Sequence, residues 1–146
     1  MKTKHFIPLL IFYISALLIA QENTNQNIEN RPWTIDKCVN QFSWQDTIQT
    51  KAGYQYWFFD KNFIDGRTIK MSVVAPHSAT HAPHKHAEDE FFFVLEGTAE
   101  FYLAGEKKSG AKYSAFYCPS KVEHGIRNIG NTELKYLVIK KYETRK

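Results

Sequence analysis

Residues 81 to 97 of this chain read HAPHKHAEDEFFFVLEG. Three histidines and three carboxylates lie within residues 81–90, and an apolar run follows them directly. A folded chain seldom crowds so many titratable groups without a use for them. Because side chains along a strand alternate between its two faces, His84, His86 and Glu90 are expected to point the same way. Two imidazoles and a carboxylate then converge, and a metal ion needs such convergence.

The remainder of the chain reads as short strands. From Gly53 onward, runs rich in β-branched and aromatic residues alternate with turn residues about every ten positions. No stretch keeps a helical repeat for three turns, and no internal repeat is found. The runs are YQYWFF, TIKMSVVA, EFFFVLEG, TAEFYLAGEKKSG, KYSAFYCP, GIRNIGN and ELKYLVIKKY. This pattern predicts an all-β domain of about eight strands that forms a sandwich or, more favoured, a single barrel.

The first part of the chain predicts export. Residues 1–20 combine a short basic start, the fifteen apolar residues FIPLLIFYISALLIA and a cleavage site, which is typical of a signal peptide. An uncleaved membrane anchor is the alternative, but the run is short for a spanning helix and contains Pro8. Residues 21–32 are polar and predict a flexible leader, so the folded domain is expected at 33–146. Within it, WTIDKCVNQFSW predicts either a turn of helix or an edge strand. The protein is expected to be periplasmic or secreted, with no stable membrane span after cleavage.

The net charge limits the classes of binding partner, and the two cysteines raise the question of a disulfide. The chain carries a net charge of +4, and removal of Lys2 and Lys4 with the signal peptide leaves it near neutral. No basic stripe with interleaved aromatic residues is present, so the sequence predicts no nucleic-acid partner. Cys38 and Cys118 could form a disulfide in an oxidising compartment or remain two free thiols. The sequence leaves both alternatives open.

A second segment, PSKVEHGIRN at residues 119–128, completes a two-part pattern. The first part is His-x-His, three residues, Glu, six residues, Gly; the second is Pro, four residues, His, three residues, Asn. In this order they resemble the two motifs of the cupin family, over roughly residues 70 to 140. Two glycines usual in these motifs are missing: Lys121 replaces the one after the motif proline, and the one that opens the first motif is either replaced by Ser78 or absent.

The resemblance implies one metal ion held by His84, His86, Glu90 and His124 inside a small jelly-roll barrel. Three neutral imidazoles and one carboxylate suit Mn, Fe, Co, Ni, Cu or Zn and leave positions for water or substrate. Glu88 is the alternative to Glu90, although the spacing to the motif glycine favours Glu90. His77 and His81 are expected to be hydrogen-bond donors beside the ligands or simply exposed, rather than metal ligands.

Other residues are candidates for the wall of the pocket. Phe92 and Val94 share the parity of Glu90 and should face the barrel interior. The aromatic strand with Tyr54, Tyr56, Trp57 and Phe58 serves either as pocket wall or as core. Weak candidates for substrate contact are Tyr102 and Tyr117, which could donate a phenolic proton, and Arg67 and Arg127, which could hold a carboxylate.

Three functions are compatible with this pattern. The favoured one is a metal-dependent, redox-neutral isomerase or lyase-type reaction on a small oxygenated substrate, by family analogy a sugar or sugar acid from polysaccharide breakdown. The second is an Fe(II)-dependent dioxygenase, against which export counts because Zn and Cu compete with Fe(II) outside the cytosol. The third is a non-enzymatic metal- or ligand-binding module. A homodimer formed through aromatic outer strands is the default expectation.

Overall fold

The computed structural model describes residues 33–64 and 66–143. The predicted signal peptide and leader therefore lie outside the described residues. Residues up to Asn40 belong to one unit and residues from Gln41 onward to a second, compact unit. In the first unit, α1 (Ile35–Cys38) is a single helical turn, capped by the Thr34 side chain, which accepts a hydrogen bond from the Lys37 amide. No helix within the described residues has the length and apolar character needed to cross a membrane.

The second unit is built almost wholly from strands. A 3₁₀ turn at Trp44–Asp46 precedes them. The described strands are β1 (Ile48–Thr50), β2 (Gly53–Ile64), β3 (Arg67–Val74), β4 (Glu90–Glu96), β5 (Thr98–Leu103), β6 (Glu106–Ala111), β7 (Ala115–Cys118), β8 (His124–Asn128) and β9 (Leu134–Lys141). The strand β1 carried no sequence signal. The other strands agree with the predicted runs, of which TAEFYLAGEKKSG forms two strands.

That run folds as a hairpin because its turn residues allow it. Ala104 and Gly105, between β5 and β6, have φ of 48° and 94°. Positive φ at both central residues suits the tight hairpin turns whose twist matches that of the flanking strands. The two strands β5 and β6 pair in register from Thr98 opposite Ala111 to Leu103 opposite Glu106.

The strands form two antiparallel sheets. The larger has the order β1-β2-β3-β9-β4-β7, and the smaller has the order β6-β5-β8. Neighbouring strands that are distant in sequence, such as β3 beside β9 and β4 beside β7, make the crossed connections of a jelly roll. The predicted all-β jelly-roll barrel is confirmed.

The core lies between the inner faces of the two sheets. Phe92 and Val94, predicted to face the interior, are 5% and 0% exposed. Ala99 and Phe101 of the smaller sheet are also buried and belong to the same apolar cluster. Each large apolar side chain buried in this way stabilises the fold by roughly 1.5–3 kcal/mol. The other buried members of the cluster are Val74, Cys118, Leu134, Tyr136 and Val138.

The aromatic residues of β2 divide between two faces. Tyr56 is buried against Phe42, with ring centroids 5.1 Å apart, and its hydroxyl donates to the carbonyl of Gln41 at 2.8 Å. Trp57 pairs across the strands with Lys70 and therefore shares the face of that lysine. Elsewhere on the larger sheet Phe91, Tyr117 and Ile139 are exposed. The homodimer stays a prediction.

Candidate metal centre

Four predicted ligand residues converge at one end of the barrel interior. His84 and His124 form an isolated antiparallel bridge, in which each backbone amide donates to the carbonyl of the other at 2.9 Å. Glu90 is the first residue of β4, and His86 lies in the loop before it. One candidate ligand atom from each of the four residues lies within 4.8 Å of the other three.

Strand alternation, which predicts these side chains on one face, is not what brings them together. Residues 85–89 are not part of a strand, so parity does not aim His84, His86 and Glu90 in one direction. The bridge to His124 positions His84, and a bend at residues 87–88 leads from His86 into β4. The cluster is therefore assembled by pairing between distant segments.

Backbone carbonyls orient all three imidazole rings. Each ring has its Nδ1 within hydrogen-bond distance of a carbonyl two residues away, and a carbonyl can only accept. Each Nδ1 therefore carries the proton and donates, which leaves the lone pair on Nε2, where a metal ion would be bound. The acceptors are the carbonyls of Ala82 for His84 (3.3 Å), Glu88 for His86 (2.7 Å) and Val122 for His124 (2.8 Å).

The carboxylate of Glu90 completes the donor set. Its Oε1 lies 3.1 Å from His124 Nε2 and 3.5 Å from His86 Nε2. Glu90 is 6% exposed and His124 is 0% exposed, so solvent screens these contacts little. Two lone-pair acceptors this close together require a proton or a cation between them. The buried Nε2 of His86 makes no hydrogen bond to any described residue, which also fits a site built for a cation.

Lys140 distinguishes the two glutamates. It pairs with Glu90 across β9 and β4, and its Nζ lies 3.9 Å from Glu90 Oε2 and 3.5 Å from Glu88 Oε2. Glu88 is 3.6 Å from Nδ1 of His86, the ring nitrogen that faces away from the cluster. A hydrogen bond to its own backbone, and then Lys140, lower the pKa of Glu88. The cluster therefore contains Glu90, as the motif spacing predicted, and Glu88 pairs with the lysine.

A cavity of about 180 Å³ opens beside the cluster. Lys70, Tyr136 and Lys140 line it together with His84, His86 and Glu90. The Tyr136 hydroxyl hydrogen-bonds with the side chains of Ser72 and Thr80, and burial raises its pKa to about 12. The phenol consequently stays protonated at neutral pH. Burial also lowers the pKa of Lys70.

Sequence reasoning missed Lys70 and Tyr136. Both lie on regular strands, and the register places Ser72 opposite Tyr136, and Lys70 opposite Val138, on the inner face of the larger sheet. The available signal was alternation, since Lys70 and Ser72 are two apart in TIKMSVVA. The apolar residues Ile69 and Met71 alternate with them, so hydrophobicity alone favoured the opposite face of β3 as the interior one.

The predicted tyrosine candidates lie elsewhere. Tyr102 donates a hydrogen bond to Glu123 Oε2 at 2.7 Å, and Tyr117 donates to Asp89 Oδ2 at 3.2 Å. These bonds raise the pKa of each phenol. Neither tyrosine lines the 180 Å³ cavity. Tyr117 is 48% exposed, because it is the neighbours Phe116 and Cys118 that face inward.

Arginine and histidine candidates are also outside the cluster. Arg67 is exposed at the start of β3 and does not line the cavity. Arg127 lines a neighbouring groove of about 450 Å³ with His77 and His81. His77 Nε2 lies 3.0 Å from Asn131 Oδ1. His81 also lines the cavity, and burial lowers its pKa.

Both cysteines are free thiols. Cys38 is exposed and Cys118 is fully buried in β7. Of the two alternatives that the sequence left open, the structure has the free pair. Burial raises the pKa of the Cys118 thiol well above its ordinary value of 9.0, so it remains neutral and behaves as a small apolar core residue.

A two-sheet antiparallel barrel with three histidines and a glutamate at its mouth defines a class of small β-barrel proteins that can hold a metal ion. Residues 70–140 match the family model described as the cupin domain. The chain belongs to the cupin superfamily, which confirms the resemblance noted in its two motifs.

Two relatives and one solved structure illustrate the range of similarity. An uncharacterized protein of Methanocaldococcus jannaschii is 37% identical over 47% of this chain, and the match spans 58% of that protein's length. An uncharacterized protein of Streptomyces coelicolor is 31% identical over 53% of this chain and 73% of its own length. The crystal structure of a predicted oxalate decarboxylase from Thermotoga maritima has a TM-score of 0.57 at 24% identity, and covers 60% of this chain and 78% of its own.

Proposed function

We propose that the chain is a metal-dependent cupin that converts a small oxygenated metabolite of the sugar-acid kind by a redox-neutral isomerase or lyase-type reaction. The observation that carries the proposal is the cluster of His84, His86, Glu90 and His124 at the edge of a polar cavity of about 180 Å³. A ligand in that cavity would lie directly beside the ion. As part of the same proposal, the chain is exported before it folds, because residues 1–20 have the pattern of a signal peptide.

The ion and the protein have separate tasks in this reaction. A divalent ion held by the four residues supplies Lewis acidity toward a substrate oxygen. Tyr136 lines the cavity. Its pKa is raised to about 12, so the phenol is neutral and can donate a hydrogen bond to substrate. Ser72 and Thr80 fix the position of its hydroxyl. Phe92 and Val138 line the apolar side of the cavity and exclude water there.

The polarity of the cavity supports an oxygenated substrate. Lys70 lines the cavity and forms no ion pair within the described residues. An apolar ligand would leave its ammonium group without a polar partner there, at a cost of about 1–3 kcal/mol. The Thermotoga maritima protein of similar fold is described as a predicted oxalate decarboxylase, and oxalate is one small carboxylate of this general kind.

Metal analysis followed by a substrate screen tests the proposal. The purified chain should contain close to one equivalent of Mn, Fe, Co, Ni, Cu or Zn. Sugar acids and catechol-type compounds are then supplied while dissolved oxygen is recorded. A product of unchanged mass, or one formed by elimination, without oxygen uptake supports the proposal. Oxygen uptake would indicate a dioxygenase, and ligand binding without any product would indicate a binding module.

Tyr136→Phe provides a matched control for the screen. This variant keeps the ring in the core and removes only the hydroxyl. It should retain the metal and lose turnover by about tenfold or more, the typical contribution of one hydrogen bond to a polar substrate. Full turnover in this variant would show that Tyr136 takes no part in the reaction. That result would not contradict the assignment of the metal site.

A further inference from the structure

The cavity contains a lysine that forms no ion pair with the described residues. Lys70 lies on the inner face of β3, and no carboxylate of the described residues forms an ion pair with it. Its Nζ lies 5.0 Å from the centroid of the Trp57 ring. Lys140, the other lysine of the cavity, is already paired with Glu88 and Glu90. Among the described lining residues, Lys70 is therefore the cation available to a ligand.

Burial makes this arrangement costly for the protein alone. Desolvation is the largest cause of the lowered pKa of Lys70, and the nearby charge of Lys140 lowers it further, while Glu90 acts in the opposite direction. A half-buried ammonium group gains most from an anion placed beside it, because the surrounding protein screens the attraction less than water does. A bound carboxylate would therefore stabilise the charged lysine and be held by it.

The size of the cavity limits the ligand. Its volume of about 180 Å³ is close to the roughly 150 Å³ of an engineered apolar cavity that holds one benzene molecule. A ligand of about six to eight non-hydrogen atoms fills such a space. This favours a short-chain acid over a hexose-derived acid.

We propose that the substrate is a short hydroxy- or oxo-carboxylate whose carboxylate is bound by Lys70 while its hydroxyl or oxo oxygen faces the His84–His86–Glu90–His124 cluster. This inference rests on the proposed function, since it concerns the same cavity, and it narrows the substrate class. Tyr136, on the neighbouring strand, lies in the same cavity lining and can donate to the remaining carboxylate oxygen.

Lactate and lactamide provide a matched pair of probes. They have the same number of non-hydrogen atoms and the same hydroxyl, and only lactate is charged. Binding of each is measured by titration calorimetry to the zinc-loaded chain, because zinc undergoes no redox change. The variants are Lys70→Met, whose flexible apolar side chain can still pack on Trp57, and Lys135→Met, which removes the same charge from a lysine paired with the exposed Glu96.

Lys70→Met should weaken lactate binding about tenfold to hundredfold and change lactamide binding less than about threefold. Lys135→Met should change neither. An unaltered ratio of lactate to lactamide affinity in Lys70→Met would overturn the inference, as would equal binding of the two probes to the unmodified chain. Zinc content and melting temperature are measured for each variant, and Lys70→Gln replaces Lys70→Met if the latter fails to fold.

The two proposals fail in different ways. In one outcome zinc binds and a sugar-acid substrate is turned over, but Lys70→Met leaves the ratio of lactate to lactamide affinity unchanged. The proposed function then stands, and the assignment of Lys70 as the carboxylate-binding residue is wrong. If the unmodified chain takes up no divalent ion, both proposals fall.

Discussion

Asn128 ties the two sheets of the barrel together, and replacing it by alanine should destabilise the whole domain. The residue ends β8, at the other end of the strand from His124, and is 0% exposed. Its Nδ2 donates to the carbonyl of Val74 in the larger sheet at 2.9 Å and to the carbonyl of Thr132 at 2.7 Å. Its Oδ1 accepts from the amide of Gly130 at 2.8 Å.

The size of the effect follows from these three bonds. Each buried hydrogen bond contributes about 1 kcal/mol net, and a partner left unsatisfied costs about 1–3 kcal/mol. Asn128→Ala removes three bonds at once, which predicts a loss of about 3–5 kcal/mol in the free energy of unfolding. For a domain of this size the melting temperature should fall by at least about 10 °C. Asn128→Asp keeps the shape but replaces the donor by an acceptor, and should be at least as destabilised.

Urea unfolding followed by circular dichroism measures this loss. Thr132→Ala is the matched control, since its side chain is exposed and lies in the same connection between β8 and β9. It should lie within about 0.5 kcal/mol of the unmodified protein. Zinc content of folded Asn128→Ala should be unchanged, because Asn128 is not one of the clustered residues. A loss below about 1 kcal/mol, equal to that of the control, would refute the role of Asn128 as a tie between the sheets.

Four further predictions concern the site and the core. His86→Ala should lose most bound metal and the rise in melting temperature that added zinc produces, since an ion bound only to the folded state stabilises it by mass action; unchanged metal content would exclude His86 as a ligand. Glu90→Gln should weaken zinc binding at least about tenfold, whereas Glu88→Gln should not, and zinc titration of both variants separates them. Iodoacetamide should label Cys38 in the native protein and Cys118 only after denaturation. Because burial raises the pKa of Cys118 above 9.0, its protonated thiol favours the folded state. The free energy of unfolding should fall above about pH 9 and fall less in Cys118→Ala.

The strand positions were largely predictable because they depend on local sequence. Alternating β-branched and aromatic runs bounded by glycine turns define strands wherever they occur. The resemblance of the two histidine segments to the cupin motifs likewise implied His84, His86, Glu90 and His124. β1 escaped prediction because three residues are too few to show alternation.

The inner face of β3 was not predictable. In TIKMSVVA the apolar residues Ile69 and Met71 would normally face the core, yet the register places Lys70 and Ser72 opposite the inward residues Val138 and Tyr136. A strand has two faces, and a shift of one residue exchanges them. Pairing with β2 and β9 decides which face is used.

By itself the sequence determined an all-β chain, because strand period is a local property, and its two motifs carried the family resemblance that implied the four clustered residues. Only the tertiary structure decided that Lys70 and Tyr136 share a cavity with those residues, that Tyr102 and Tyr117 point away from it, and that Asn128 joins the two sheets. Those relations depend on which strands pair and in what register, and the free energy that selects the register is spread over contacts between residues far apart in the chain.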